Sequence, residues 1–211
     1  MNAGVDAPMR RIETATDAVY LTFDDGPDEE WTPRILDLLA AAQASATFFA
    51  IGRQAERSAA LLRRVQRAGH GIGNHGYDHR HPWTGSATQA RAEVRHGADA
   101  IAGAIGTMPR AYRPAFGRHR GAMFDEARQC GQRVVLWSLS AMDWGVFARQ
   151  DRIARRLERM QAGDIVLLHD GRNRHNHPET VVDVLPPLLS SLSRRGLVAA
   201  SLTDARSSPG S

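Results

Sequence analysis

The chain has 211 residues, 42% of them apolar, which fits one domain with a sizeable core and excludes a disordered or membrane-embedded protein. Its net charge of +4 comes from basic residues that are all Arg, scattered over helical segments beside Asp and Glu, so nucleic acid is not an expected partner. No apolar run approaches the roughly 20 residues that cross a bilayer, and the first residues lack the basic and apolar segments of a secretory signal. We therefore expect a cytoplasmic protein without a transmembrane segment.

Short apolar runs alternate with amphipathic helical patterns along most of the chain. This alternation predicts parallel strands joined by right-handed crossovers, in either an open sheet or a barrel. We expect a lead-in at 1–15, one domain at 16–204 and a flexible tail at 205–211. The predicted strands are 18–23, 46–51, 71–74, 111–113, 133–139, 164–169 and 197–200. The predicted helices are 32–42, 54–68, 87–105, 121–129, 150–161 and 180–194.

Polar residues suited to catalysis follow successive predicted strands. In a barrel of parallel strands the carboxyl ends meet at one rim, so the distribution favours a barrel with a single active face. These residues are Asp24 and Asp25 after the first strand, His75 and His79 after the third, Arg113 after the fourth, Asp143 after the fifth, and His169 and Asp170 after the sixth.

Asp24 and Asp25 end the first apolar run and are followed by a Gly-Pro turn. Adjacent residues of an extended chain point to opposite sides, so the two carboxylates cannot do the same job. One of them could hold a metal while the other serves as a base. The alternative is an Asp-rich β-turn without function.

His75 and His79 are four residues apart, a spacing that puts both imidazoles on one face if the segment is one helical turn. With one carboxylate from the first strand they would form a His-His-Asp site with an open position for water, the pattern of catalytic zinc. The alternative is two surface histidines in a loop.

Five segments resemble, in the same order, the motifs of the NodB homology domain, the polysaccharide deacetylases of carbohydrate esterase family 4. The resemblance spans roughly residues 18 to 200. It implies a distorted (β/α) barrel with about seven parallel strands in a single α/β domain. The segments are TFDDGP at 22–27, HGYDH at 75–79, RPAFG at 113–117, DW at 143–144 and IVLLH at 165–169.

The resemblance implies a metal site and a catalytic base. Asp25, His75 and His79 match the residues that hold the metal, which is Zn²⁺ or another divalent ion such as Co²⁺ or Ni²⁺. Asp24 matches the catalytic base, and Arg113 matches the residue that steadies it.

The same resemblance implies an acid and a substrate groove. His169 matches the general acid, and Asp143 the residue that tunes it. A backbone N–H near Phe116 is expected to face the oxyanion. Trp144 is expected to wall the groove, and Leu167 to line the acetyl pocket.

The resemblance therefore implies an enzyme that removes the N-acetyl group from an amino sugar of an N-acetylglucosamine-type oligosaccharide or polysaccharide, releasing acetate. We expect the protein to be a monomer. Two alternatives are an O-acetyl esterase acting on a polysaccharide and a non-catalytic carbohydrate-binding barrel. The second is motivated by two departures from the motifs: Gly76 stands where Ser or Thr is usual, and Ser140 where Asp is usual. A third departure is Ala115, which replaces a Pro or similar residue.

A segment rich in Arg and His follows the sixth predicted strand, at 171–178. As a loop on the rim, it could contact a phosphate or carboxylate of the substrate through Arg172 and Arg174. The alternative is an ordinary solvated loop, since loops are usually polar.

Overall fold

A computed structural model describes residues 7–13 and 16–204. The expected tail at 205–211 lies outside the described residues. So do residues 1–6, 14 and 15 of the expected lead-in. Residues 7–13 lie along the barrel: Met9 pairs in parallel with Val135, and Arg11 pairs antiparallel with Asp164. The Arg11 side chain adds an ion pair of 2.7 Å to the Asp164 carboxylate.

The described residues form strands and helices in alternation. The strands are β1 (Ala18–Asp24), β2 (Thr47–Ala50), β3 (Gly71–Asn74), β4 (Ala111–Tyr112), β5 (Arg133–Val134), β6 (Leu139–Ser140), β7 (Ile165–His169) and β8 (Val198–Ala199). The helices are α1 (Trp31–Ala41), α2 (Gly52–Arg57), α3 (Ala59–Arg67), α4 (Ala87–Ile105), α5 (Gly121–Gln129), α6 (Gln150–Leu157) and α7 (Pro178–Arg194). Short 3₁₀ turns lie at Ala115–Gly117 and Gly145–Phe147.

The strands are parallel throughout and follow the order β5-β4-β3-β2-β1-β7-β6, with β8 added beside the start of β1. The two ends of this order, β5 and β6, come from one stretch of chain at 133–140, so the sheet curls round on itself. This confirms the expected distorted (β/α) barrel in a single α/β domain. β1 lies at its centre, with Asp24 in register with Phe49 on one side and His169 on the other.

Alternation along β1 decides which side chains enter the barrel. Val19, Leu21 and Phe23 pack in the large cluster between the sheet and the helices, whereas Ala18 and Tyr20 join the smaller cluster inside. Because the side-chain period of a strand is two, Asp24 at the end of β1 belongs to the inner set.

Two predicted elements are divided in the structure. The strand at 133–139 is two short strands, because Val135 N–H donates to the Tyr112 carbonyl on one side while Ser138 N–H donates to the Ile165 carbonyl on the other. The helix at 54–68 is α2 and α3, separated at Ser58, whose φ of −119° and ψ of 41° leave the helical region.

The helix α4 matches its predicted bounds because both of its ends are marked in the sequence. Ser86 and Gln89 form a reciprocal capping box at its start, and Gly106 ends it with a φ of +78°. Among the helices that the structure describes, none combines the length and apolarity needed to cross a bilayer. The cytoplasmic location and the monomeric state stay predictions.

Candidate active site

The predicted site residues come together at the carboxyl edge of the sheet, around a cavity of about 280 Å³. Arg113 and Asp143 lie behind its wall and are fully buried. The predicted residues that line the cavity are Asp24, Asp25, His75, His79, Phe116, Trp144, Leu167 and His169. Gly117, Trp137, Asn173, His175 and Asn176 complete the lining.

Asp24 is held from inside the barrel by Arg113. The Arg113 Nη1 donates to Asp24 Oδ1 at 2.6 Å and to Thr22 Oγ1 at 2.7 Å. Thr22 lies two residues before Asp24 on the same inner face of β1, and its hydroxyl donates to the Val166 carbonyl at 2.6 Å. One oxygen of the Asp24 carboxylate is therefore fixed, while Asp24 itself still borders the cavity.

Arg113 is anchored by more than its ion pair. Its Nη2 donates to the Leu136 carbonyl at 3.1 Å and its Nε to the Val135 carbonyl at 3.4 Å, and the guanidinium lies 4.0 Å above the Phe49 ring. Burial lowers the pKa of Arg113, and the charge of Asp24 opposes that effect. A buried cation with this many partners positions the carboxylate rigidly.

Asp25 turns away from Asp24 because its backbone adopts a φ of +75°. Its Oδ1 lies 3.3 Å from His75 Nε2 and 3.1 Å from His79 Nε2. Among the described residues this buried oxygen has no hydrogen-bond donor. One ligand atom from each of the three residues lies within 4.8 Å of the others, so the set fits a divalent metal with two imidazoles and one carboxylate.

The segment that carries His75 and His79 is a loop and not one helical turn. Gly76 has a φ of +85° and His79 a φ of +55°, which a right-handed turn does not allow. The loop is held instead by Glu93, whose Oε2 accepts from the N–H of Tyr77 at 3.2 Å and of Asp78 at 3.0 Å. The two imidazole rings nevertheless lie 5.1 Å apart.

Gly76 therefore suits the backbone of this particular loop. A Cβ at this position would lie 3.3 Å from Glu93 Oε2, and its φ of +85° is a conformation that favours glycine. The residue usual at this position in the family motif, Ser or Thr, would strain the loop as it stands here. The departure at Ser140 is also accommodated locally, since its hydroxyl accepts from the Met142 N–H at 3.1 Å.

The imidazole of His75 is oriented by the backbone. Its Nδ1 lies 2.8 Å from the Arg113 carbonyl, an arrangement in which Nδ1–H donates and Nε2 is left as the ligand atom. Burial lowers the pKa of His75, but Asp24 and Asp25 outweigh it and the pKa is raised. For His79 burial prevails and the pKa is lowered.

Asp25 remains ionised although it is buried. Burial raises its pKa, but the close contact with His75 and the positive charges of His75, His79 and His169 hold the pKa well below its usual range. Metal ligands must be deprotonated to bind, so the carboxylate is in the required form, whereas the raised pKa of His75 favours a protonated ring that would compete with a metal.

His169 forms a pair with Asp143 on the opposite side of the cavity. Its Nδ1–H donates to Asp143 Oδ1 at 2.9 Å, and its backbone N–H donates to Oδ2 at 2.8 Å, so both carboxylate oxygens are used. Burial lowers the pKa of His169, but Asp143 and, less strongly, Asp25 and Asp24 raise it to about 9. The edge of the Trp144 ring packs against the imidazole at 5.4 Å and 79°.

Aromatic side chains form the walls of the cavity. Phe116 lies in the turn after β4 with a φ of +58°; it is 55% exposed, and its ring centroid lies 4.5 Å from that of His79. Trp137 was not predicted as a site residue, because it falls inside the apolar run read as one continuous strand. A Cβ on Gly117 would lie 2.6 Å from the Trp137 ring, so the ring can occupy this position in the cavity wall only because residue 117 has no side chain.

The loop at 171–178 contributes asparagines rather than arginines. Asn173 Nδ2 and Asn176 Nδ2 donate to Asp25 Oδ2 at 3.0 and 2.6 Å. Arg172 instead pairs with Glu179 at 2.8 Å, and neither Arg172 nor Arg174 lines the cavity, so the hypothesis of an anion contact through these arginines is not supported. No pattern in the chain indicates a role for these asparagines, since amides are common in polar loops.

The fold and the site together define a parallel α/β barrel with a candidate metal centre at the carboxyl edge of its sheet. Comparison with known proteins identifies its family. The family model described as polysaccharide deacetylase matches residues 11–135. The chain is 34% identical to a peptidoglycan-N-acetylglucosamine deacetylase of Bacillus cereus, over 84% of this chain and 83% of that protein.

Two further similarities agree with this match. A chitooligosaccharide deacetylase of Azorhizobium caulinodans is 32% identical, over 76% of this chain and 77% of that protein. The solved structure of the Bc1960 peptidoglycan N-acetylglucosamine deacetylase superposes with a TM-score of 0.86 at 30% identity, covering 94% of this chain and 92% of that one. The chain belongs to the polysaccharide deacetylase family, carbohydrate esterase family 4, as the five motifs predicted.

Proposed function

We propose that this protein is a zinc-dependent N-deacetylase that hydrolyses the acetamide of an N-acetylglucosamine-type oligosaccharide or polysaccharide, releasing acetate and a free amine. The observation that carries the proposal is the separation of Asp24 from Asp25. One carboxylate is held by Arg113, the other faces two imidazoles, and a His–Asp pair lies across the same cavity. The names of the two relatives support the substrate class.

Asp25, His75 and His79 are the residues that would hold the metal. Two imidazoles and a carboxylate form one of the ligand sets of catalytic zinc, which leaves an open position for water or substrate. When bound, the metal would supply Lewis acidity, polarising the acetyl carbonyl and lowering the pKa of water.

Asp24 is the proposed general base. Its Oδ1 is fixed by Arg113, and its Oδ2 lies 3.7 Å from His75 Nε2, beside the ligand set but not part of it. A carboxylate held in this way can take a proton from the attacking water without moving. The rigid ion pair thus keeps the base correctly placed.

His169 is the proposed general acid. An amine leaves poorly unless it is protonated, and the raised pKa of His169, about 9, keeps its imidazolium form populated at neutral pH. Because Asp143 holds Nδ1, the other ring nitrogen is left to donate towards the cavity.

Phe116 supplies the proposed oxyanion donor through its backbone N–H. The neighbouring N–H groups of Gly117 and Arg118 already donate inside the turn, to the carbonyls of Pro114 and Ala115. One such donor is typically worth around 3 kcal/mol in the transition state. Leu167, which is buried at the cavity wall with Trp144 nearby, would line the acetyl pocket.

An acetate-release assay on short N-acetylglucosamine oligomers, with chelator and with added Zn²⁺, tests the proposal. We expect release that chelator abolishes and zinc restores, and that Asp24→Asn removes. Asp37→Asn, which deletes an exposed carboxylate on α1, is the matched control. Full acetate release by a zinc-loaded Asp24→Asn protein would refute the assignment of the base.

The same assay separates the two alternatives. An ester leaving group needs less protonation than an amine, so an O-acetyl esterase would tolerate His169→Ala and prefer O-acetylated oligosaccharides. A non-catalytic barrel would bind zinc or oligosaccharide without releasing acetate from either substrate.

A further inference from the structure

Asp25 presents its two carboxylate oxygens to different surroundings. Oδ1 faces the two imidazoles and has no hydrogen-bond donor among the described residues. Oδ2 accepts from two side-chain amides, at 3.0 Å from Asn173 and at 2.6 Å from Asn176. One oxygen of the carboxylate can therefore bind a metal, whereas the other already accepts two hydrogen bonds.

The orientation of both amides is set by their other contacts. Asn173 Oδ1 accepts from the backbone N–H of His175 at 2.7 Å and of Asn176 at 2.9 Å, so its NH₂ group is the one that faces Asp25. Asn176 is only 7% exposed, and its Nδ2 also lies 3.3 Å from the Gly171 carbonyl, which only a donor satisfies. Neither amide can be reversed without losing these bonds.

The loop that carries the amides is fastened on the far side of the cavity. The His177 N–H donates to the Asp143 carbonyl at 3.0 Å, and the Gly145 N–H donates to the His175 carbonyl at 2.7 Å. At its beginning, Gly171 lies so close that a Cβ there would come within 2.2 Å of the Asp25 carbonyl oxygen. The asparagines are therefore held on a braced loop and not on a free one.

We propose that Asn173 and Asn176 are positioning residues that restrict Asp25 to binding the metal through Oδ1 alone. A free carboxylate can offer a metal one oxygen or both, but an oxygen that already accepts two amide hydrogens is a poor ligand. Single-oxygen binding keeps coordination positions open for water and for the substrate carbonyl. The inference rests on the proposed metal site, and neither asparagine touches the reacting atoms.

Zinc affinity tests the inference directly. Asn176→Leu has nearly the same size and removes the shorter of the two donors. Asn173→Ser removes the other amide but keeps an oxygen that the loop N–H groups can use. Arg174→Ala, an exposed position in the same loop, is the matched control.

We expect the zinc Kd, measured by competition with a chromophoric chelator, to rise 10–100-fold in each asparagine variant and to stay unchanged in the control. The Tm of metal-free and zinc-loaded protein supplies a second measurement. Weaker binding reduces the rise in Tm caused by zinc, whereas a purely structural role lowers both Tm values equally.

Zinc Kd values within twofold of wild type in both asparagine variants, or equal losses of Tm with and without zinc, would overturn the inference while leaving the proposed function intact. Failure of the wild-type protein to bind zinc at all would overturn the proposed function, and the inference with it.

Discussion

Replacing Asp143 with Asn should shift the basic limb of the pH–rate profile to lower pH. The two oxygens of Asp143 lie 2.9 Å from His169 Nδ1 and 2.8 Å from its backbone nitrogen, and Asp143 is the largest of the charges that raise the pKa of His169 from 6.5 to about 9. That difference corresponds to about 3 kcal/mol in favour of the imidazolium form. His169 is mostly buried, so solvent screens little of this energy.

The sign of the effect follows from the role of an acid. Imidazolium is the active form, so activity is present below the pKa and is lost as pH rises through it. Without the Asp143 charge, burial of the ring is opposed only by the weaker contributions of Asp25 and Asp24. We expect the limb to fall by at least one pH unit, towards or below 6.5, and a limb at 6.5 would lower kcat at pH 8 about 30-fold.

The assay is acetate release from an N-acetylglucosamine oligomer between pH 5 and 10, with wild type and variant loaded with the same metal so that its charge affects both alike. Asp151→Asn, which removes one exposed carboxylate on α6, is the control for the change in net charge. An unchanged basic limb in Asp143→Asn, with kcat reduced or not, would refute the role of His169 as the acid that Asp143 tunes.

Three further predictions follow from the same contacts. Arg113→Met should destabilise the protein by about 3–5 kcal/mol in urea unfolding, because it leaves Asp24 buried without its cation. The control Arg64→Met, at an exposed ion pair, should cost less than about 1 kcal/mol, and equal losses in the two variants would contradict this prediction. Zinc affinity should weaken as pH falls through the raised pKa of His75, because protons compete for the ligand nitrogen. Calorimetry in buffers of different ionisation enthalpy should register proton release on zinc binding, and a zinc affinity that does not change with pH would contradict this prediction. Gly76→Ser should lower stability by about 1–2 kcal/mol, and Tm by several degrees, because the backbone there has a φ of +85°; a higher Tm would show that the loop accommodates the usual motif residue.

The sequence predicted the order of elements and the edge where the site lies, because both depend on local patterns. The apolar run of β1 and the polar residues at its end are visible in the chain, and so are the glycine and capping residues that bound α4. Carboxyl ends of parallel strands converge by geometry, so Asp24 and His169 could be placed near each other before any contact was known.

The parts that the sequence did not predict depend on contacts between distant segments. The loop shape of residues 75–79 is set by Glu93, which lies on α4, and the division of the stretch 133–139 is set by its pairing with β4 on one side and β7 on the other. The role of the Asn173 and Asn176 amides depends on their hydrogen bonds to Asp25, which lies about 150 positions earlier in the chain.

The balance of buried charge gives an independent reason for a cation at this site. Among the residues that the structure describes, Arg113 pairs with Asp24 and charged His169 pairs with Asp143, which leaves the Asp25 carboxylate only imidazoles as ion-pair partners. The negative charge of Asp25 affects two neighbouring pKa values. The pKa of His75 is raised by Asp24 and Asp25, and the pKa of Asp170 is raised to about 7 by burial and, in part, by Asp25. Both shifts favour the protonated forms of these groups. A divalent cation on Asp25 would oppose both shifts, so metal binding should release protons and lower both pKa values together.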